Sequence, residues 1–350
     1  MSKECNFVFL EKMLNTCSPS GFEGEISSLY KNYLDGFCDK TYCDALGNTI
    51  GVINEHTDFK IMLAGHYDEI GYQIVHISDD GLIYFRRVGG IDKRTILGTQ
   101  VVILGRNKKI LGIIGSTPIH LVKSKDKDNI VDMSKMWIDV GAKSKKELEG
   151  VISVGDPVTV DPNYSHLRNN RLTSKGLDDK VGAFIVAEVT RLISKSIKSN
   201  IGIYCVGTVQ EELGLRGSKT SSFGIDPDIG IAVDVGFASD TPDIDVCEIG
   251  VVKLGEGPII YRNADQDAPF INKIIDISKN NKIKFQLNAD IHSVSGTDVA
   301  SIRLTKRGIR TFSIGVPLRY MHTQVELVDL NDVESSVELI SKFINHLDCN

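Results

Sequence analysis

A change of texture in mid-chain constrains the fold more than any other feature. Residues 71–160 carry short strand-type runs with almost no helical pattern, while the segments on either side alternate helical patterns with apolar strands. Within that stretch, 72–87 reads as two strands joined at Asp79-Asp80-Gly81, a hairpin signal. Further strand runs fall at 101–104, 110–114 and 156–160, with one short helix near 144–148. The spacing predicts a β-rich domain (71–160) inserted into a second domain built from 1–70 and 161–350. A chain of 350 residues exceeds the usual size of one core, so two domains are in keeping.

Outside the insert, Ser18-Pro19-Ser20-Gly21 offers turn and N-cap chemistry before a helix with Ile26, Tyr30 and Leu34 on one face. Apolar strands are expected at 60–64, 201–206, 229–233 and 310–314, and helices at 179–195, 270–279 and 298–304. A last helix should run from Leu330, with Asn331 as N-cap, to about Leu347. Alternating helices and apolar strands imply an α/β fold whose sheet is covered on both faces.

The polar residues fall where those strands end. The first apolar strand runs into Gly65-His66-Tyr67-Asp68-Glu69, the second towards Gln210-Glu211-Glu212, the third to Asp234, and the fourth towards Tyr320-Met321-His322-Thr323. Sites in open α/β sheets form beyond the carboxyl ends of strands. Asp178 and Asp179 lie in the turn before a helix, where a ligand can be held rigidly and Asp179 meets the positive end of the helix dipole.

A single catalytic zinc needs three protein ligands, whereas His66, Asp178, Glu212, Asp234 and His322 offer five. If Asp178 bridges two ions, His66, Asp178 and Asp234 serve one and Asp178, Glu212 and His322 the other. Three carboxylates against two divalent ions leave one positive charge, which a hydroxide would neutralise. Paired ions activate water for hydrolysis. Glu211, beside a ligand, is then placed to take the proton from water and pass it to the leaving amine, and Asp68 to hydrogen-bond the free N–H of the His66 ring. Each residue also has an ordinary reading: a satisfied histidine, a solvated acidic cap, a turn-capping aspartate. Spacing alone leaves both readings open.

The net charge of −6 argues against a nucleic-acid partner, and no run is long enough to span a membrane. Seven scattered cysteines without a CxxC pair (Cys5, Cys17, Cys38, Cys43, Cys205, Cys247, Cys349) read as reduced thiols. The opening MSKECNFVFLEKML reads as an amphipathic helix, since Glu11 and Lys12 interrupt its apolar stretch, so the expected compartment is the cytoplasm.

AGHYDEIG (64–71), GLDDKVGA (176–183), QEELGLRG (210–217), DVG (234–236), SGTD (295–298) and RYMHT (319–323) together resemble the glutamyl-aminopeptidase family of dinuclear metallopeptidases, which includes the tetrahedral TET aminopeptidases and members once labelled endoglucanases. SPSGFEGE near the start, GSTPIHL and WIDVGA in the insert, and KLGEGP (253–258) extend the likeness over nearly the whole chain. The resemblance implies a zinc-exopeptidase-like α/β domain, a mixed sheet flanked by helices, interrupted by a β-barrel-like dimerisation domain. It implies a metal-dependent aminopeptidase acting on peptides with two divalent ions, zinc or cobalt. Position by position, His66, Asp178, Glu212, Asp234 and His322 match the ligands, Glu211 the general base and Asp68 the supporting aspartate. Related enzymes carry a cis peptide after the bridging aspartate, here Asp178–Asp179. Family members form dimers, often assembled into twelve-subunit shells. Ser295, Gly296 and Thr297 are placed near the substrate by resemblance only, the alternative being a helix start with Thr297 as N-cap. The loops after Asp234 and around Tyr261 to Gln266, which carry Asp240, Asp243, Arg262 and Asp265, are candidate walls of the side-chain pocket. The rivals are a dinuclear amidohydrolase of acylated amino acids, a glycoside hydrolase, and a non-enzymatic scaffold.

Overall fold

A computed structural model describes residues 4–123, 129–289 and 294–347. Four apolar strands, Ile201–Thr208, Phe59–His66, Ile229–Phe237 and Arg310–Leu318, run parallel side by side at the centre of an eight-stranded sheet. They are nearly continuous runs of buried residues, as a sheet covered on both faces requires. Thr49–Ile53 and Lys40–Cys43 extend one edge in antiparallel fashion. Ile259–Tyr261 pairs antiparallel with Arg310–Leu318 on the other side, and Gln286–Asn288 completes that edge, so the sheet is mixed.

Alternation along a strand sends neighbouring side chains to opposite faces. Ile61, Leu63, Ile203 and Cys205 enter the larger core, shared with helices Phe7–Leu14, Gly24–Leu34, Leu177–Ile193, Ala268–Asn281 and Leu330–Asn345. Met62, Ala64, Tyr204 and Val206 face the other way, towards Ile225 and Ile302 of helices Arg216–Ile225 and Asp298–Arg303.

Six strands drawn from 71–160 close into a barrel in the order Gly71–Ile77, Ile83–Val88, Trp137–Asp139, Lys109–Gly115, Gln100–Leu104, Pro157–Val160. Tyr72, Ile74, Phe85, Val101, Ile103 and Ile138 fill it with a core of its own. Trp137–Asp139 is not anticipated by periodicity because only Ile138 of its three residues is buried. A small third sheet, Ser165–Leu167, Arg171–Ser174 and Glu326–Asp329, is equally unforeseen.

Two caps differ from expectation. Helix Gly24–Leu34 starts after Glu23 with no side-chain cap bond. Ser18 is buried instead, its N–H donating to Glu69 Oε1 at 3.0 Å and its hydroxyl to the Tyr67 carbonyl at 2.8 Å. The last helix is capped by Asp329, whose carboxylate accepts from the Asn331 N–H, so Asn331 is the second residue of the helix and not its cap. Cys5, Cys17, Cys38, Cys43, Cys205 and Cys247 are free thiols, and Cys349 lies outside the described residues. Among the described residues no helix is long and apolar enough to cross a membrane.

Candidate metal centre

Strand register brings the ligands level. His66 pairs with Thr208 across one parallel ladder, and Ala64 pairs with Ala232 across the next, which sets Asp234 beside His66. The Ile201–Thr208 strand then leads to Glu211 and Glu212, and Arg310–Leu318 leads to His322. Tyr320 and His322 both hold positive φ (63° and 61°), an uncommon backbone for non-glycine residues that turns this loop sharply back over the sheet edge. The barrel supports it from outside: the Asp92 N–H donates to the His322 carbonyl at 3.3 Å, and a Cβ on Gly90 would sit 3.0 Å from His322 Nδ1. Asp178 follows Gly176, which turns at φ 61°, and the Asp178–Asp179 peptide bond is cis.

The two carboxylate oxygens of Asp178 face different imidazoles. Oδ1 stands 3.2 Å from His66 Nε2, and Oδ2 stands 3.2 Å from His322 Nε2. His66 Nε2 is also 3.9 Å from Asp234 Oδ1, and His322 Nε2 is 3.4 Å from Glu212 Oε1. The five residues thus divide into two triplets sharing Asp178, each with its candidate ligand atoms within 4.8 Å of one another. Ligand atoms about 2.1 Å from a tetrahedral ion stand about 3.4 Å apart, so the nitrogen and oxygen donors fit a pair of divalent cations in both kind and spacing. Glu211 approaches from the side, its Oε2 3.8 Å from His66 Nε2.

Three further buried carboxylates clamp the backbone of this set. Asp68 Oδ1 and Oδ2 accept the N–H groups of Glu211 and Glu212 at 3.1 and 3.2 Å. Asp179 accepts from the N–H of His66 at 3.2 Å and of Gly182 at 3.0 Å. Glu326 accepts from the N–H of Asp178 at 3.0 Å and of His322 at 2.9 Å. The expected bond from Asp68 to the His66 ring therefore changes form. Nδ1 lies nearest the Asp68 backbone carbonyl (3.1 Å), with the carboxylate at 3.5 Å and committed to the 211–212 turn. Sequence reasoning missed Glu326; its one signal is an acid inside the apolar run Val325-Glu326-Leu327-Val328. In a Glu326→Gln variant one amide N–H would oppose a backbone N–H, spoiling the spacing between Asp178 and His322. Metal affinity should fall about 10–100-fold, measured by competition with a chromophoric chelator; unchanged affinity would show that the clamp is incidental.

Burial disfavours charge throughout the cluster, and its balance against the neighbouring charges sets the direction of each pKa shift. It raises Asp234 to about 8, with Asp178 adding to the effect against the pull of His66. Burial likewise lifts Glu211 well above the carboxylate range, reinforced by Asp234 and opposed by His66. On His322 burial opposes the charge, but Asp178 and Glu212 overcome it and push the ring up to about 11. His66 is raised in the same way against burial by Glu211, Asp178 and Asp68. Asp178, between two imidazoles, is held below its ordinary value despite burial. Without cations, protons must balance the carboxylates crowded here.

A cavity of about 530 Å³ opens over the cluster. Beyond the acids and histidines, Leu215, Val235, Phe237, Tyr261 and Met321 line it, together with Gly296 and Thr297. Thr297 occupies the N-cap position of helix Asp298–Arg303 without a side-chain cap bond. Ser295 is buried and bonded to Asn263 and Asp265. The two loops expected as pocket walls thus contribute Val235, Phe237 and Tyr261, while the four charged residues they carry are not among those lining this cavity. Asp240 is paired with Arg319 at 2.6 Å, Asp265 accepts from the Ser295 N–H at 2.6 Å, and Asp243 and Arg262 are exposed.

The profile of the M42 glutamyl aminopeptidase family matches residues 47–339. A lysyl aminopeptidase of Pyrococcus furiosus is 30% identical over 341 residues, covering 97% of this chain and 96% of its own length. The crystal structure of a TET aminopeptidase from a marine-sediment Thaumarchaeota archaeon superposes with a TM-score of 0.93 at 32% identity, covering 98% of this chain and 96% of that one. The Pyrococcus horikoshii TET1 peptidase, described as able to assemble into a tetrahedron or a large octahedral shell, gives a TM-score of 0.86 at 30% identity over 97% and 99% of the two chains. With the profile spanning most of its length and such relatives aligned end to end, this chain belongs to the M42 glutamyl aminopeptidase family.

Proposed function

We propose that the chain removes N-terminal residues from peptides as a dinuclear metalloaminopeptidase. His66, Asp178 and Asp234 would hold one divalent ion and Asp178, Glu212 and His322 the other, zinc or cobalt in either position. The observation that carries this reading is Asp178, whose two oxygens each stand 3.2 Å from a different imidazole. When bound there, divalent ions would make a water nucleophilic at neutral pH and polarise the scissile carbonyl. Glu211, its Oε2 3.8 Å from His66 Nε2, would act as general base towards the attacking water and return the proton to the leaving amine. Asp68 holds Glu211 and Glu212 in place through their N–H groups.

The barrel is read as the dimerisation domain. Leu111, Ile113, Ile119, Leu121 and Ile130 leave apolar surface exposed on it, and the resemblance to TET1 peptidase structures, one described as a dodecamer and one as able to form a tetrahedron, supports a tetrahedral dodecamer as the larger assembly. Solution mass distinguishes these states from a monomer. The free thiols Cys17 and Cys205 support a reducing, cytoplasmic compartment, which cell fractionation checks.

Activity is tested with a panel of aminoacyl-p-nitroanilides, N-acyl amino acids and glycosides, after chelation and again with added zinc or cobalt. Metal-restored release from the first class alone supports the reading and ranks the side chains accepted. Turnover of only the second or third class contradicts it.

Metal uptake should also depend on pH. A raised imidazole pKa contributes stability below its ordinary value and loses it as pH rises through the folded value. The His322 contribution therefore declines between 6.5 and about 11 in the metal-free protein. The raised carboxyl of Asp234 acts in the same direction between 3.8 and about 8. Ions displace both protons, so apparent affinity rises with pH and binding at neutral pH releases protons. Titration calorimetry in buffers of different ionisation enthalpy reads that release; a heat independent of buffer would contradict it.

A further inference from the structure

Behind the Asp178 turn lies a second group of buried charges. Glu69 Oε1 and Oε2 meet the Lys175 ammonium at 2.5 and 2.7 Å, and Oε2 meets the Lys180 ammonium at 2.7 Å. The three side chains are 1%, 3% and 0% exposed. Glu69 Oε1 also accepts from the Ser18 N–H at 3.0 Å and the Thr159 hydroxyl at 2.8 Å, the latter on a barrel strand. The Lys180 ammonium donates a further bond to the Thr16 carbonyl at 2.7 Å. Gly176 packs so closely that a Cβ there would collide with Glu69 Oε2.

Buried ion pairs are poor sources of stability, because desolvation offsets their attraction; their better-attested use is to specify an arrangement. The arrangement here is particular. Glu69 lies three residues beyond His66, while Lys175 and Lys180 flank Asp178 on either side. One carboxylate on the His66 chain thus fastens both ends of the segment bearing Asp178. The separation of 3.2 Å between His66 and Asp178 is fixed from behind, and Thr159 ties the barrel to the same point.

We infer that Glu69, with Lys175 and Lys180, is a positioning residue for the metal pair, setting the place of the shared aspartate relative to His66. The inference rests on the two-ion reading above. Neither lysine touches the ligand carboxylates in the contacts described; both act through the turn.

The test titrates zinc into chelated full-length protein against a competing chromophoric chelator, with thermal unfolding of the metal-free protein and kcat and KM followed in parallel. Glu69→Gln keeps the shape and one acceptor but loses the ion pairs; Lys175→Met frees one end of the turn and leaves a neutral pair with Lys180. Both should weaken zinc binding about 10–100-fold, with lost activity recovered by excess zinc and affinity restored in Lys175→Arg. A purely packing role would lower the unfolding midpoint while leaving zinc affinity at the wild-type value, and that result overturns the inference. If Glu69→Gln does not fold, the Lys175→Met and Lys175→Arg pair decides alone. Wild-type protein that binds no zinc would instead defeat the two-ion reading.

Discussion

Replacing Glu211 by glutamine should lower kcat about a thousandfold while leaving two ions bound per chain. Glutamine preserves the side chain's size and the backbone N–H that Asp68 accepts, so the 211–212 turn and the Glu212 ligand stay in place. What it removes is the lone pair that receives a proton and the acid that returns it. The loss should fall in kcat with KM little changed, because Glu211 is assigned to proton transfer and not to binding. Metal analysis beside the kinetics separates this from a structural effect. An inactive variant that has also lost its metal would make Glu211 a ligand, and near-normal kcat would remove it from the reaction.

Asp178→Asn should be the more severe lesion, because both candidate ion sites depend on that carboxylate. An amide offers one neutral oxygen where two charged ones face His66 and His322. Residues that only support a ligand affect affinity about 10–100-fold, and a ligand shared by two ions should exceed that range. Zinc affinity is expected to fall more than about a hundredfold at both positions, with activity below detection and far-UV dichroism unchanged. Loss of one ion only, with the other held at wild-type strength, would show that Asp178 does not bridge. The contrast with Glu211→Gln is informative: one variant is inactive with metal, the other inactive without it.

Much of this was legible because the chemistry sits where apolar strands stop. Runs such as Ile61–Met62–Leu63–Ala64 announce a buried strand and so gather the candidates at one sheet edge, but spacing leaves the ordinary reading of His66 open and the motif resemblance decides it. The change of texture at 71–160 marked the barrel strands before their closure could be known. Trp137–Asp139 was not legible, since three residues with one inward side chain carry no period. Neither were Glu326 and Glu69: a glutamate looks solvated in sequence, alone or beside Asp68, and only the fold shows it buried against backbone N–H groups or lysines. The loops expected to wall the pocket do reach the cavity through Val235, Phe237 and Tyr261, but their charged residues do not, for the same reason. Asp240 looks available until Arg319, far along the chain, is found against it.

The central claim is a pair of ions working together on a peptide. It is tested most directly by adding zinc in fractional equivalents to chelated protein and following peptide hydrolysis and bound metal in the same samples. Activity should reach its plateau at two ions per chain, and Asp178→Asn should retain little zinc and show no hydrolysis at the same additions. A plateau at one ion, or full hydrolysis by metal-free protein, would contradict the account.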